Sequence, residues 1–256
     1  MNNIEKGHQF EAPIEERGKE LPWDAEKEIT KDDWQAMKSE LEHYRKIGGW
    51  GGFSSQAMEM KIINPEIDLN LDEKDWEGMK WMLEFYRKRD RDNRVEGNLE
   101  DFTKQAMEMK IINSETELNL DTKTWQGMKN ELEGHRKEID LLRHFLPRQA
   151  MRMKILSPEI DLNLDEKDWQ KMKDGLEDRR KQGNWWDFCS RAMEMKILDP
   201  EVELNLDEKA WQGMKDGLAF HRKGHNWLHF SHQAMGMKIL ASPRVKIPPE
   251  GGLEVE

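Results

Sequence analysis

The chain is poor in the features that mark several large classes of protein. It has a single cysteine, Cys189, which excludes a framework of internal disulfides and favours a reducing compartment. No run reaches the roughly 18 apolar residues that a transmembrane helix needs, and the first residues form no apolar signal segment. We therefore expect a cytoplasmic protein without a membrane span.

Hydrophobic residues are also scarce, at 36% of the chain, while charged residues make up another 36% and the formal net charge is −11. This composition approaches that of disordered proteins. However, the chain contains 11 Trp and 17 Met, which are large apolar side chains that a solvated coil does not need. The placement of these side chains along the sequence therefore decides the fold.

The tryptophans and methionines recur in a pattern. The sequence EIDLNLDEKDW occurs twice, at residues 66–76 and 159–169. Five segments, which we term helix A, share a Trp followed by Met, Lys, Leu and Arg at offsets of three, four, seven and eleven residues. Offsets of zero, three and seven place the Trp, Met and Leu on one face of a helix. The five Trp residues are Trp34, Trp76, Trp125, Trp169 and Trp211.

A second segment, helix B, follows each helix A. Its shared sequence is Ala-Met-x-Met-Lys-Ile followed by Ile or Leu, with a Phe or Leu four residues before the Ala. Its apolar arc is wider than that of helix A, so we expect helix B to be the more buried partner, in an interior shared by the recurring Trp and Met. The Lys falls within this arc, and we expect it to reach carboxylates of nearby linkers.

Residues that start and stop helices flank both segments. Thr or Asp stands four residues before each Trp, where it can cap the N-terminus of helix A. Gly48, Gly183 and Gly224 stand where helix A should end. Pro65 and Pro158 follow helix B and prevent its continuation.

These signals predict an all-α fold, an α-solenoid of five tandem αα-hairpin repeats. The Trp-to-Trp period of 42 to 49 residues overlaps that of HEAT and armadillo units, a likeness of period and helix count only. A single hairpin cannot bury both apolar faces, so the repeats must stack. We expect a polar N-terminal segment at residues 1–29, mostly flexible, in which residues 21–23 cap the first repeat, and a C-terminal cap or tail at residues 241–256. Short extended linkers join the five repeats, which span residues 30–63, 72–112, 121–156, 165–198 and 207–240.

The turns between helix A and helix B carry the candidate binding residues. All variation in repeat length falls in these turns, and insertions in solenoids collect on a face that is often the binding face. The turns are also rich in cations, which either complement the helix dipoles or bind an anion beside Trp side chains that stack on it. The candidate partner-binding residues are Trp50, Arg87, Arg89, Arg91, Arg94, Arg143, Arg180, Trp185, Trp186, His225, Trp227 and His229.

Two patterns are similar to metal sites but lack required features. The linker sequence at residues 68–72 matches the first half of a calcium-binding loop, but the positions that need Gly and a bidentate Glu hold other residues. His225 and His229 have the i,i+4 spacing of zinc ligands, but the neighbouring Gly and Asn favour a turn. We therefore expect no metal, no cofactor and no catalytic activity.

The expected function is that of a non-catalytic scaffold that presents an extended surface to a protein partner. The alternative is that RNA or another polyanion binds along the basic, Trp-bearing edge formed by the A–B turns. The net charge of −11 counts against nucleic acid, because sequence-independent affinity needs positive potential. The pattern leaves the curvature and the oligomeric state open.

Overall fold

The structure is a computed structural model that describes residues 22–91, 98–137 and 145–255, without the side chains of residues 89–91 and 98. The predicted all-α class is confirmed, because these residues form eleven helices and two strands of two residues each. Within them, every helix is too short or too polar to cross a bilayer. The helices are α1 (Ala25–Glu28), α2 (Lys31–Ile47), α3 (Trp50–Ile63), α4 (Glu73–Arg91), α5 (Asn98–Ile112), α6 (Thr122–Lys137), α7 (Phe145–Leu156), α8 (Glu166–Gln182), α9 (Trp185–Leu198), α10 (Glu208–Lys223) and α11 (Trp227–Ala241), followed by the strands β1 (Val245–Lys246) and β2 (Glu254–Val255).

Five helices pack side by side in a closed ring. We term α3, α5, α7, α9 and α11 the inner helices; each packs against the next, and α11 packs against α3. The outer helices α2, α4, α6, α8 and α10 pack against the inner ones from outside. α2 contacts α3 and α11 just as α4 contacts α5 and α3. The array therefore turns through a full circle.

The core between the inner and outer helices consists of thioethers and phenyl rings more than of indoles. The Met that follows each helix A Trp is at most 3% exposed, and the Phe side chains of the inner helices at Phe53, Phe102, Phe188 and Phe230 are at most 1% exposed. Of the five recurring Trp, Trp211 is buried and the other four are half-buried. This differs from the expected indole interior because each Trp lies in the first turn of its outer helix, near the rim of the ring.

An arginine near the C-terminus of each outer helix ties it to the start of the next outer helix. Arg45 donates to both carboxylate oxygens of Asp75 at 2.8 Å and to the carbonyl oxygen of Asn70 at 3.3 Å. Arg222, in the last outer helix, donates in the same way to Asp33 at 2.8 Å and to the carbonyl oxygen of Glu28 at 2.9 Å. The last outer helix therefore contacts the first as each other outer helix contacts its successor. The equivalent carbonyl oxygen, two residues before the N-cap, accepts from Arg87, Arg136 and Arg180 at the three other junctions.

The linkers between repeats share one backbone turn. The Asn of the LNL sequence has a φ of 46° to 48° in all four linkers, a left-handed conformation that Asn tolerates better than most residues. The lysines at the ends of the inner helices bond to these linkers through backbone carbonyl oxygens, as Lys154 does to Pro158 at 2.5 Å. The expected pairing of these lysines with linker carboxylates is not observed among the described residues, because each of the four bonds instead to the carbonyl oxygen four residues later, just beyond the end of its helix. The other lysines with this contact are Lys61, Lys110 and Lys196.

The C-terminal segment folds across one end of the ring. β1 and β2 pair antiparallel with Val245 opposite Val255, and these two side chains are 3% and 9% exposed. At the tip of this hairpin, the amide of Gly252 donates to the carbonyl oxygen of Ile155 at 3.2 Å. The hairpin thus covers the C-terminal ends of the inner helices. We term the opposite end, formed by the N-terminal turns of the inner helices, the mouth.

Candidate functional site

Two layers of polar side chains lie on the faces of the inner helices that meet inside the ring. The upper layer consists of the residue two positions before the Ala of the Ala-Met-x-Met sequence in each inner helix. The lower layer consists of the residue two positions after that Ala, which lies one helical turn further from the mouth. The lower-layer carboxylates are at most 3% exposed, whereas the upper-layer side chains of Lys104, Arg148 and His232 are 41%, 34% and 28% exposed. In the sequence, the lower layer is visible as the variable residue x of Ala-Met-x-Met, which is charged in four of the five segments although the segment around it is apolar. The upper layer is Ser55, Lys104, Arg148, Ser190 and His232, and the lower layer is Glu59, Glu108, Arg152, Glu194 and Gly236.

Two consecutive residues of the preceding inner helix hold each of two buried carboxylates. Ser54 donates to Oε2 of Glu108 at 2.6 Å, and Ser55 donates to Oε1 at 2.7 Å. At the junction of α11 with α3, Ser231 donates to Oε2 of Glu59, and Nδ1 of His232 lies 3.1 Å from Oε1. Because a buried carboxylate without partners is costly, these contacts favour one pairing of helices.

The third buried carboxylate has one partner fewer. Arg148 donates from Nε to Oε1 of Glu194 at 3.0 Å, and the charge of Glu194 raises the pKa of Arg148 above its usual value. The residue that corresponds to Ser54 and Ser231 is Pro147, which has no donor. Oε2 of Glu194 consequently has no hydrogen-bond partner among the described residues.

Ser190, His232 and Glu59 form a chain with the connectivity of a serine–histidine–acid relay. Ser190 Oγ lies 2.8 Å from Nε2 of His232, and Nδ1 of His232 lies 3.1 Å from Oε1 of Glu59. However, Ser190 is only 3% exposed. Lys104 of α5 likewise contacts Ser55 of the preceding inner helix, at 2.6 Å, but its carboxylate partner Glu108 lies four residues later on the same helix. The buried chain therefore has the geometry of an interhelical contact, which joins α9, α11 and α3.

The candidate tryptophans Trp50 and Trp185 lie between successive repeats. A side chain at Gly78 would place its Cβ 2.1 Å from the Trp50 ring, and one at Gly213 would place it 2.3 Å from the Trp185 ring. Both indoles therefore pack directly on the next outer helix. Each of these indoles, and that of Trp227, also lies edge-on to the Phe three residues later, at 5.5 to 5.6 Å.

The candidate arginines are divided between described and undescribed parts of the chain. Arg87 and Arg180 belong to the interhelical ties described above, and the Arg87 guanidinium also lies 5.2 Å from the centre of the Phe102 ring. These two cations are thus engaged within the ring. Arg89 and Arg91 lie in α4 with side chains outside the description, and Arg94 and Arg143 lie outside the described residues altogether.

Trp186 and His229 meet at the mouth. The Trp186 ring lies 5.4 Å from that of His229 and 5.5 Å from that of His232. Burial and the neighbouring His229 lower the pKa of His221. His225 occupies the turn before α11 with a φ of 52° and lies 6.1 Å from Trp227. Among the described residues, no three His, Cys, Asp or Glu side chains converge as metal ligands would.

An aromatic pair on the outer face of α4 is the main feature that the sequence analysis missed. Trp81 is 59% exposed and Phe85 is 38% exposed, and their rings stack at 5.6 Å with an interplanar angle of 17°. In the other helix A segments, the position of Trp81 holds Ser, Asn or Asp. This departure from the repeat pattern is the feature of the sequence that could have predicted the exposed aromatic pair. We term Glu77, Trp81, Phe85 and Lys88, which share this outer face, the α4 stripe.

Comparisons of the chain with protein-family profiles, with curated proteins and with solved structures gave no match. The geometry offers two candidate binding surfaces, the polar mouth and the α4 stripe.

Proposed function

We propose that the protein is a five-repeat αα scaffold, closed into a ring, that binds a protein partner through its outer surface. Each repeat is one outer helix and the inner helix that follows it. The observation that supports this function is the exposed, stacked pair Trp81 and Phe85. Large apolar side chains grouped at a surface mark interaction sites more often than scattered ones do.

Ring closure favours the outer surface over an inner one. Neighbouring helices pack about 8–10 Å apart, so the axes of five helices in a ring lie only about 7–8 Å from its centre. Side chains fill a space of that size, and the C-terminal hairpin covers one of its ends. An extended concave groove of the kind open solenoids offer is therefore absent from this part of the chain, and a partner of protein size has to bind elsewhere.

The size of the aromatic pair suits a binding hot spot. A Trp side chain buries roughly 150–250 Å² when it is fully covered, so covering the exposed part of Trp81 removes about 100–150 Å² from water. At about 25 cal/mol per Å² this contributes roughly 3 kcal/mol. Truncation of a hot-spot residue costs at least about 2 kcal/mol of binding free energy, which is consistent with this estimate.

The polyanion alternative has less support from the geometry. Arg87 and Arg180 already bind carbonyl oxygens of the next linker. The half-exposed cations of the mouth, Lys104 and Arg148, pair with Glu108 and Glu194. A strand of phosphates would have to compete with these contacts, which lowers the positive potential available to it.

A retention experiment with matched variants tests the proposal. Immobilised wild-type protein, the double variant Trp81→Ser/Phe85→Ser and the control Phe220→Ser are exposed to a purified set of candidate partners at high salt, after nuclease treatment. Phe220 is 73% exposed and lies on α10 at the position equivalent to Phe85. We expect a protein that the wild type and the control retain and the double variant loses.

Two results would contradict the proposal. Equal retention by all three proteins would show that the aromatic pair is not the contact surface. Binding of a labelled oligonucleotide that disappears as salt increases, without any protein retained at high salt, would favour the polyanion alternative.

A further inference from the structure

We propose that the partner of the α4 stripe is a second copy of this chain, bound so that the two α4 helices run antiparallel about a two-fold axis. The inference rests on the proposed function, since it takes the stripe to be a protein-binding surface. It adds the identity of the occupant and the register of the contact.

The outer face of α4 differs from its equivalents at two positions together. In α6, α8 and α10, a Gln four residues before an Asn or Asp donates to it along the helix, as Gln170 does to Asp174 at 2.8 Å. In α4 these positions hold Glu77 and Trp81. The hydrogen-bonded pair of Gln with Asn or Asp, which suits a solvated surface, is thus replaced in α4 by a carboxylate and an indole. The other two hydrogen-bonded pairs are Gln126 with Asn130 and Gln212 with Asp216.

The order of charges along the stripe is self-complementary in one orientation. Glu77 and Lys88 are both exposed, stand eleven residues apart, and form no ion pair within the described residues. In an antiparallel pair centred between residues 82 and 83, Glu77 of each copy faces Lys88 of the other. In a parallel pair, Glu77 would face Glu77 and Lys88 would face Lys88, which disfavours association. A two-fold contact of this kind uses the same patch on both copies.

The same register brings the aromatic rings to the centre of the contact. The Trp81 Cα atoms of the two copies are then offset by three residues, or about 4.5 Å along the helix axis. The two indoles therefore pack against each other beside the axis, and each Phe85 ring extends the apolar patch on one side. Charged residues surround this centre at both ends, an arrangement that resembles the apolar core and polar rim of known interfaces.

A single helix pair makes a small interface. Such a contact falls below the approximately 1,200 Å² that stable complexes bury, so it belongs to the weak and transient class. We expect a monomer–dimer equilibrium that is visible at high micromolar concentration and reverses on dilution.

The first experiment is sedimentation velocity over a concentration series. The full-length wild type and the Phe220→Ser control should dimerise, and Trp81→Ser should remain monomeric. The single variants Glu77→Lys and Lys88→Glu should each remain monomeric, because each places like charges opposite each other twice. An equimolar mixture of the two should dimerise at least as well as the wild type, because both contacts are then between opposite charges.

A second experiment tests whether the stripe is sufficient. α10 already has Phe220 and Lys223 at the spacing of Phe85 and Lys88. The changes Gln212→Glu and Asp216→Trp would complete an identical stripe there. Introduced into the Trp81→Ser background, they should restore dimerisation.

The outcomes separate this inference from the proposed function. A wild type that stays monomeric at every concentration, or charge variants that do not associate when mixed, would overturn the second-copy inference. The proposed function would then stand or fall on the retention experiment with Trp81→Ser/Phe85→Ser. Circular dichroism spectra that match the wild type show that a loss of association is not a loss of folding.

Discussion

The strongest test of ring closure is the substitution Arg222→Ala. Asp33 is 2% exposed and accepts two hydrogen bonds from Arg222 and two more from Thr30. Breaking a buried ion pair on one side costs roughly 3–5 kcal/mol. The Arg222 side chain is 36% exposed, and Thr30 would still donate to Asp33 in the variant. We therefore expect a smaller loss, of about 2–3 kcal/mol in the free energy of unfolding.

The two residues are 189 positions apart, which makes the measurement informative. In an open array they would lie at opposite ends, and Arg222→Ala would be a surface change within about 0.5 kcal/mol. The matched control is Arg45→Ala, which removes the same contacts to Asp75 at a junction that the chain itself connects. Closure predicts similar losses for the two variants.

Urea unfolding at neutral pH gives both free energies, and hydrogen exchange of α2 and α11 shows where each variant opens. Closure is refuted if Arg45→Ala is destabilised by about 2 kcal/mol or more while Arg222→Ala matches the wild type. Faster exchange confined to α2 and α11 in Arg222→Ala would locate the opening at the junction between the last and first repeats.

The contact of Arg222 with Asp33 also predicts a pH dependence. Burial by itself raises the pKa of Asp33, but hydrogen bonds from Arg222 and Thr30 outweigh it and hold the pKa below the usual 3.8. A depressed pKa in the folded state stabilises the protein above the unfolded value, and this contribution is lost as the pH falls through the folded value. The difference between wild type and Arg222→Ala should therefore persist at neutral pH and shrink below about pH 3.8.

Three further predictions concern the packing and the linker turn. Pro147→Ser supplies the hydroxyl that Oε2 of Glu194 lacks, so thermal unfolding should show a gain of about 1 kcal/mol; an unchanged midpoint would argue against an unsatisfied oxygen. Gly213→Ala places a Cβ 2.3 Å from the Trp185 ring and should cost about 1–3 kcal/mol, whereas Gly134→Ala, with nothing within 4 Å, should be neutral or stabilising in the same assay. At the φ of 48° of Asn163, Gly should be tolerated and Val should cost at least about 1 kcal/mol; equal urea midpoints would contradict the assigned turn.

The helices and their ends followed from local chemistry that the sequence displays. Thr30 and Asp165 form reciprocal capping boxes with the residues three positions later. Gly48 and Gly183 end their helices in the left-handed conformation, each with a φ of 68°. These features depend on neighbours within one turn, which is why composition and spacing sufficed to predict them.

Closure could not be predicted with the same certainty, because it depends on the small rotation between repeats. The contacts between two neighbouring repeats are the same in both cases: when the second repeat follows the first in the chain, and when the last repeat of the array contacts the first. One cue was present: Asp33 retains the acidic position that Asp75 and Asp168 use to bind the arginine of the preceding repeat. However, Asp33 also completes the capping box with Thr30, a role that it would keep in an open array, so this acid by itself does not distinguish a ring from an open array.

Polar side chains distinguish one junction between inner helices from another. Each junction pairs particular residues: hydroxyls with carboxylates where Ser54 meets Glu108 and Ser231 meets Glu59, and a sulfur with a glycine where Cys189 meets Gly236. A Cβ at Gly236 would lie 2.7 Å from that sulfur, so this junction excludes the glutamate that three of the other four inner helices have at this position. At the junction of α11 with α3, Ser231 and His232 both contact Glu59, so the polar side chains of the last inner helix match those of the first. The polar side chains that vary between the inner helices therefore favour particular pairings, while the recurring Met side chains are buried alike in all of them.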